Sequence, residues 1–432
     1  MGADSPDNGF TPAFHWDTDT AIPYTPTLSP QTLIGQNLWN LVRTDGYSPY
    51  QNNVNVGIQR QLPGQIVLTV SYVGNTGIHL PSRLMPTSQM PPQYLPLGAN
   101  MINGTSELFT PISDPTVQQI PAIAAMPVDP ATGNHSPFPG FEALWASSGN
   151  GTAGKALSLE PQYQKIWTGW EGVGTSTYSA LQIKAEKRFS NGLTLLVSYA
   201  WSKTLTNGGA LSSVFSSEFG ANDVWNSKSQ KAYSFEDIPN LASIAYVYDL
   251  PVGRGRRFLN HGGVANQIIG GWKFSGLHAY QGGRPQNVWV PVTTGSLEGT
   301  AFNTPNQIPG VPMASAADRS GHFDPAVDSQ FNNAAFAFPC SFCFGTLTPT
   351  EGRVRDFPYF DEDFSLIKEW ELHESWKLDF RADFVNAFNR VQFGDNAGAY
   401  ASEPLFGYPG FGMIGNQENI PRVIQFGLRL KW

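Results

Sequence analysis

No stretch of the chain approaches the roughly 18 to 20 consecutive apolar residues that carry a helix across a bilayer, so a transmembrane helix is excluded. Charge is scarce as well. Asp, Glu, Lys and Arg make up 14% of the 432 residues, against about a quarter in soluble domains, which is low for a surface wetted on every side. There is no basic excess: the formal charge of -8 argues against a general nucleic-acid binder. Cysteine is nearly absent. Cys340 and Cys343 stand in Pro339-Cys340-Ser341-Phe342-Cys343-Phe344 with no histidine near them in sequence. Two thiols fall short of the four ligands of a structural zinc site, and no βαβ pattern surrounds them to suggest thioredoxin-like exchange. A small loop disulfide in an oxidising compartment is the favoured reading, and a reduced pair is the alternative. The opening residues Met1-Gly2-Ala3-Asp4-Ser5-Pro6 lack a positive region followed by an apolar stretch. If the protein is exported, the sequence is expected to begin after the true start.

Glycine (44), proline (34) and aromatics (28 Phe, 15 Tyr, 12 Trp) are plentiful, and the strongest pattern is alternation of period two, the signature of a strand with two unlike faces. Leu181, Ile183, Ala185 and Phe189 share one face, interrupted by Lys187, while Gln182, Lys184, Glu186 and Arg188 take the other. Asn191-Gly192 supplies a tight hairpin signal, and Leu193, Leu195, Val197, Tyr199 and Trp201 return on one face. A second hairpin-like unit covers 361–388, where Trp376, Leu378, Phe380, Ala382, Phe384 and Phe388 alternate with Lys377, Asp379, Arg381 and Asp383. Four successive charged inward positions suit a wet lumen better than a packed sandwich. In the last segment Ile424, Phe426, Leu428, Leu430 and Trp432 oppose Gln425, Arg429 and Lys431. Further candidates are 54–60 with 65–73 across Leu62-Pro63-Gly64, then 241–250 and 272–280, and a rough count is about eleven to thirteen strands, each long enough for a tilted transmembrane strand.

Between these segments lie long tracts at about 81–154, 204–236 and 290–350, rich in Pro, Gly, Ser and Asn. Such lengths count against a compact soluble domain. They fit an outer-membrane barrel, where short periplasmic turns alternate with long outer loops. Trp167, Trp170, Tyr178, Tyr199, Trp201, Tyr246, Tyr248, Trp272, Tyr280, Trp370, Trp376 and Trp432 read as interfacial girdles, against core packing in a large soluble β protein. The expected fold is therefore all-β: a transmembrane antiparallel β-barrel in the outer membrane, its lipid-facing side carrying Phe426, Leu428, Leu430 and Trp432 and its lumen lined by Lys377, Asp379, Arg381 and Asp383.

Several stretches resemble the TonB-dependent outer-membrane receptors, in particular the large Oar-like group. They include 50–60 (YQNNVNVGIQR), 70–80 (VSYVGNTGIHL), 178–184 (YSALQIK), 197–203 (VSYAWSK), 384–389 (FVNAFN) and 427–432 (GLRLKW). Their order along the chain is more specific than any one of them. The resemblance implies a 22-stranded barrel in the complete protein, of which this chain is the carboxyl-terminal portion. It also implies an amino-terminal plug, often preceded by a β-sandwich; neither is recognisable here. It implies energy-coupled import of a bulky ligand through TonB, and recognition of the last strand, ending in Trp432, by the barrel assembly machinery. The transported ligand, an oligosaccharide, peptide or metal chelate, is not chosen by the sequence.

No catalytic constellation emerges, so no enzymatic activity, metal or cofactor is expected. His15, His79, His135, His261, His278, His322 and His373 form no metal-binding spacing, and Asp361-Glu362-Asp363 with Glu160 offers no opposed pair around a substrate. Asp318, Asp324 and Asp328 lack the calcium-loop pattern. Gly253-Arg254-Gly255-Arg256-Arg257 is a positive turn that faces phosphate groups or periplasmic partners, or is simply solvated. Tyr233, Trp225 and Trp289 are candidates for outer recognition. The rival function is a structural or adhesive surface protein without transport, and the rival fold is a soluble β-sandwich or lectin-like module.

Overall fold

The computed structural model describes residues 34–39, 47–82, 90–167, 171–190, 192–208, 223, 225–260, 262–291, 302–373, 376–394 and 405–432. Period-two alternation produces one antiparallel sheet in which each long strand pairs with its neighbour in sequence. In order these are β1 (Tyr50–Leu62), β2 (Ile66–Ser82), β3 (Glu171–Ser190), β4 (Leu193–Thr206), β5 (Asn240–Asp249), β6 (Trp272–Gln281), β7 (Tyr359–His373), β8 (Trp376–Val385) and β9 (Val423–Lys431). A two-residue strand, Ala232–Tyr233, extends the end of β4. Among the described residues there are nine long strands rather than eleven to thirteen, and the sheet is open, with β1 and β9 as its edges. The shortfall lies in the connections, whose apolar stretches fold as short helices and two-residue ladders.

Three tight turns lie at one end of the sheet. Leu62 pairs with Ile66 across Pro63-Gly64-Gln65, where Gly64 and Gln65 both take positive φ (79° and 60°). The β3–β4 turn uses Gly192 at φ 78°, and β7 and β8 are two residues apart. The fourth connection at this end, 250–271, breaks the short–long rule: it is long and holds a six-residue helix, Val264–Ile269. At the opposite end run the four longest connections, 83–170, 207–239, 282–358 and 386–422.

These outer tracts have cores of their own, which alternation alone did not reveal. One gathers Leu108, Ile112, Val117, Ile123, Phe141 and Trp145, with Phe342 contributed from a different connection. A second gathers Val288, Met313, Phe331, Phe336, Val354 and Phe411. By contrast, the buried hydrophobic residues within the nine long strands are only Ala180 and Ala382. The rival sandwich requires a second sheet packed on the apolar face; among the described residues no such sheet covers it, and Leu428 is 70% exposed.

Candidate functional site

Residues paired across an antiparallel ladder point to the same side, so the register sorts every strand onto two faces. Tyr72 pairs with Leu181, Leu181 with Trp201 and Tyr199 with Ala242. Ala242 then pairs with Tyr280, Tyr280 with Phe360, and Lys368 with Phe380, which in turn pairs with Leu428. One continuous face thus carries the apolar set, including Phe426, Leu428, Leu430 and, just beyond β9, Trp432. The other carries Lys377, Asp379, Arg381 and Asp383 together with Lys184, Glu186, Ser275, Asp363, Ser365, Glu369, Arg429 and Lys431.

The charges on the polar face are tied to one another. Lys377 Nζ lies 3.0 Å from Glu369 Oε1 and 3.7 Å from Glu371. Lys431 pairs with Asp379 and lies 3.8 Å from Glu369. Arg381 Nε donates to Asp383 Oδ1 at 2.6 Å, and its Nη2 lies 3.3 Å from Ser365 Oγ. A cleft of about 590 Å³ opens here, lined by Thr194, Ser275, Asp363, Arg381, Asp383 and Gln425 among others. It presents both signs of charge and hydroxyl groups to whatever occupies it.

Two aromatic levels bound the apolar face. From Trp272 to Tyr280 strand β6 rises about 27 Å, or roughly 20 Å along the normal of a bilayer once tilted. Outward aromatics gather at its two levels: Tyr248, Trp272, Trp370, Trp376 and Trp432 towards the tight turns, and Tyr199, Trp201, Tyr280 and Phe360 towards the outer loops. Tyr246 lies between the levels. Tyr178 departs from the girdle expectation, because it pairs with Asn75 and Thr204 on the polar face. Trp167 belongs to a separate two-strand parallel ladder, and Trp170 lies outside the described residues.

Arg60, Lys187, Lys203, His278, Glu362 and Lys368 interrupt the apolar face, and for three of them the contacts explain the placement. Lys187, the exception visible in the sequence, sits beside the tight turns and donates to Gly64 O at 2.7 Å and Ser190 Oγ at 2.8 Å. Glu362 is covered by Arg390, which donates to both carboxylate oxygens at 2.8–3.0 Å and lies over the Phe360 and Phe388 rings. Lys368 is buried between the Trp272 and Trp370 rings. Glu362 therefore faces away from Asp361 and Asp363, and the three form no joint carboxylate site. Alternation could have flagged Glu362 and Lys368 as misplaced, but their partners lie far off in sequence.

The outer connections are cross-tied. Arg355 Nη2 donates to Asp237 Oδ2 at 2.7 Å and its Nη1 reaches Gly283 O at 3.1 Å. Tyr233 is held between Lys203 and Arg355, 4.8 and 5.1 Å from its ring centroid. This makes it part of the tie rather than a free recognition group. Trp289 is 1% exposed and cannot touch an outside ligand, whereas Trp225 is exposed at the surface.

Cys340 and Cys343 are joined as a disulfide. The tight loop between them presents Phe342 to the other connection's core, where its ring meets Phe109 at 5.4 Å between centroids and lies flat against Gly98. A Cβ at Gly98 would fall 2.1 Å from that ring. Gly98→Val is therefore expected to expel Phe342 and destabilise the loop pair by about 1–3 kcal/mol. Limited proteolysis should then cut near 340–344 in the variant while leaving the wild-type segment resistant.

Among the described residues no cluster of His, Cys, Asp and Glu is arranged to hold a metal ion. His15 and His261 lie outside them. Burial pushes the Asp318 carboxyl up from its ordinary range, against the hydrogen bond to Gln330 and the nearby Arg319, which lower it. Glu160 accepts from Gln162 at 2.9 Å.

An open amphipathic sheet, tight turns at one end and folded loops at the other define a barrel wall. Residues 3–425 match the outer membrane beta barrel domain family, and the chain belongs to it; the protein resides in the outer membrane. No curated protein matches the chain. Among solved structures, the outer membrane transporter YddB from Escherichia coli is similar at 9% identity over 92% of this chain and 34% of that one, with a TM-score of 0.37. The ferric-catecholate import receptor Fiu from E. coli K12 gives 10%, 90%, 28% and 0.35. The pyoverdine outer membrane receptor FpvA from Pseudomonas aeruginosa PAO1 gives 9%, 89%, 30% and 0.32. The chain thus spans about a third of the length of these proteins.

Proposed function

We propose that this chain forms part of the wall of a TonB-dependent transporter that imports a bulky ligand such as an oligosaccharide, peptide or metal chelate. The observation that carries the reading is the continuous polar face, whose paired charges on β7, β8 and β9 and adjoining cleft stand opposite an uncovered apolar face. In this reading Lys377, Asp379, Arg381 and Asp383 line or brace the lumen, and Phe426, Leu428, Leu430 and Trp432 meet lipid. The resemblance of the ordered strand segments to TonB-dependent receptors, in particular to the Oar-like group, supports energy coupling through TonB.

The test is uptake in cells. A strain carrying the complete gene should accumulate a labelled ligand from one of these classes, and accumulation should vanish on deletion of either the gene or TonB. Uptake that persists without TonB would overturn the reading. A second reading, a surface-binding protein without transport, is favoured by the two folded loop cores. It predicts cell or matrix binding that survives loss of TonB.

The last strand is proposed to engage the barrel assembly machinery through its apolar side. Replacing Phe426 and Trp432 together by serine should lower the heat-modifiable, inserted fraction several-fold with synthesis unchanged. Equal insertion of the double variant would count against that role.

A further inference from the structure

Connection 250–271 is the one long link at the tight-turn end, and side chains of the apolar face hold it in place. Trp272 Nε1 donates to Ile268 O at 2.9 Å and Trp370 Nε1 to Gln267 O at 2.7 Å. Lys368 Nζ donates to Ile268 O at 2.9 Å and Gly270 O at 2.7 Å. These three donors cap the carbonyls at the C-terminal end of the Val264–Ile269 helix, where a cation and N–H donors are stabilising. The helix is therefore fastened to the apolar side of the wall rather than beneath the polar face. Its own apolar side chains nevertheless point away: Val264, one turn from Ile268, is 76% exposed, and Ile268 is 63% exposed.

The other half of the connection is basic. Gly253 N–H donates to Phe258 O and Arg254 N–H to Asn266 Oδ1, which folds the arginine turn back against the helix. Arg254, Arg256 and Arg257 are all exposed there. Arg256 lies 3.4 Å from Asp249, and the Arg257 guanidinium lies 5.3 Å from the Phe258 ring centroid. An apolar helix surface bordered by cations, and continuous with a face that meets hydrocarbon, matches the composition of an interfacial membrane anchor.

We propose that residues 251–260 and 262–271 form such an anchor: Val264 and Ile268 insert among acyl chains of the periplasm-side leaflet, and Arg254 and Arg257 bind the phosphate of an anionic phospholipid. The inference rests on the facing of the sheet proposed above. Charge complementarity selects the lipid class, since juxtamembrane basic residues favour anionic headgroups. Continuity with the girdle residues Trp272 and Trp370 sets the depth.

The test uses the full chain with Val264→Cys carrying a fluorophore, reconstituted in nanodiscs of phosphatidylcholine alone or of an equimolar mixture with phosphatidylglycerol. The probe should resist aqueous iodide and be quenched by brominated lipid, more strongly by brominated phosphatidylglycerol than by brominated phosphatidylcholine at the same mole fraction. That preference should fall about fivefold for each arginine neutralised in R254Q and R257Q. A probe open to iodide would overturn the anchor, as would one shielded from both iodide and brominated lipid, which would place protein over the helix. Equal quenching by the two lipids would overturn the headgroup assignment. A Ser275→Cys probe on the polar face separates the two levels of inference. If it stays open to iodide while the Val264 result fails, the anchor alone is wrong; if brominated lipid quenches it, the facing of the sheet is wrong. A chain that does not enter nanodiscs under any condition would refute both.

Discussion

Asp237→Ala is expected to destabilise the outer loop assembly by about 3–5 kcal/mol, the usual cost of removing one partner of a buried ion pair. The Asp237 side chain is 1% exposed and Arg355 20%, so the arginine left behind would keep its burial and lose its counter-charge. Asp237 also accepts from the Thr204 N–H at the end of β4, and Arg355 donates to the backbone of 282–358 through Gly283. The loss should therefore appear in two connections at once. Hydrogen exchange in detergent-solubilised protein should accelerate both near 233–239 and near 350–356, while the tight-turn ends of β7 and β8 remain slow. Lys184→Ala is the control: its partner Glu186 lies two residues along β3, and both side chains are exposed, 54% for Lys184 and 44% for Glu186, so the effect there should stay under about 1 kcal/mol. Equal effects from the two variants would remove the distinction between a tie and a surface pair.

Leu428→Arg is expected to cost about 2–4 kcal/mol of insertion free energy, the depth-dependent penalty for a cation on the lipid side near the middle of a barrel wall. Leu428 pairs with Phe380, which pairs with Lys368. That lysine is satisfied only because the helix carbonyls and two indoles enclose it, and an arginine at 428, at an open strand edge, gains no such enclosure. Arg429→Leu, one residue along and on the opposite face, should leave insertion nearly unchanged. The comparison is read from the heat-modifiable fraction in outer-membrane preparations of cells expressing the complete gene. If Arg429→Leu were the more damaging change, the assignment of faces would be reversed.

Period two was readable because a pleated strand imposes it regardless of what the two faces meet, and the residues named from alternation on β3, β4, β8 and β9 share faces in the ladder registers, except that a register shift after Lys187 breaks the alternation before Phe189 and Phe388 lies beyond the end of β8. Lys187 stood out in the sequence and proves to be the group that reaches a neighbouring turn. What stayed hidden has two physical origins. Glu362 and Lys368 look like faults in the pattern until Arg390 and the 264–269 helix are brought to them. Neither partner is local, so no window of sequence contains the explanation. The loop cores were hidden for a different reason. Their helices are four or five residues long and joined by 3-10 turns, too short to show a period, so Leu108, Ile123 and Phe141 read as scattered apolar residues in a polar tract. Trp289 was misread as a recognition group for the same reason, since burial inside a loop leaves no periodic trace.

The folded connections also bear on how quickly the wall can assemble. Closing a disordered loop about thirty times longer than the three-residue β1–β2 turn adds about 3 kcal/mol of entropy cost, which would slow the pairing of β2 with β3 across 83–170. A tract that collapses first around Leu108, Phe141 and Trp145 no longer behaves as free chain. It shortens the length of free chain that has to be closed before Ser82 and Glu171, the residues paired at its mouth, can meet. The outer loops would then determine the order in which hairpins zip, and a loop variant with an intact sheet sequence would be recognised by slow insertion before any change in its final stability.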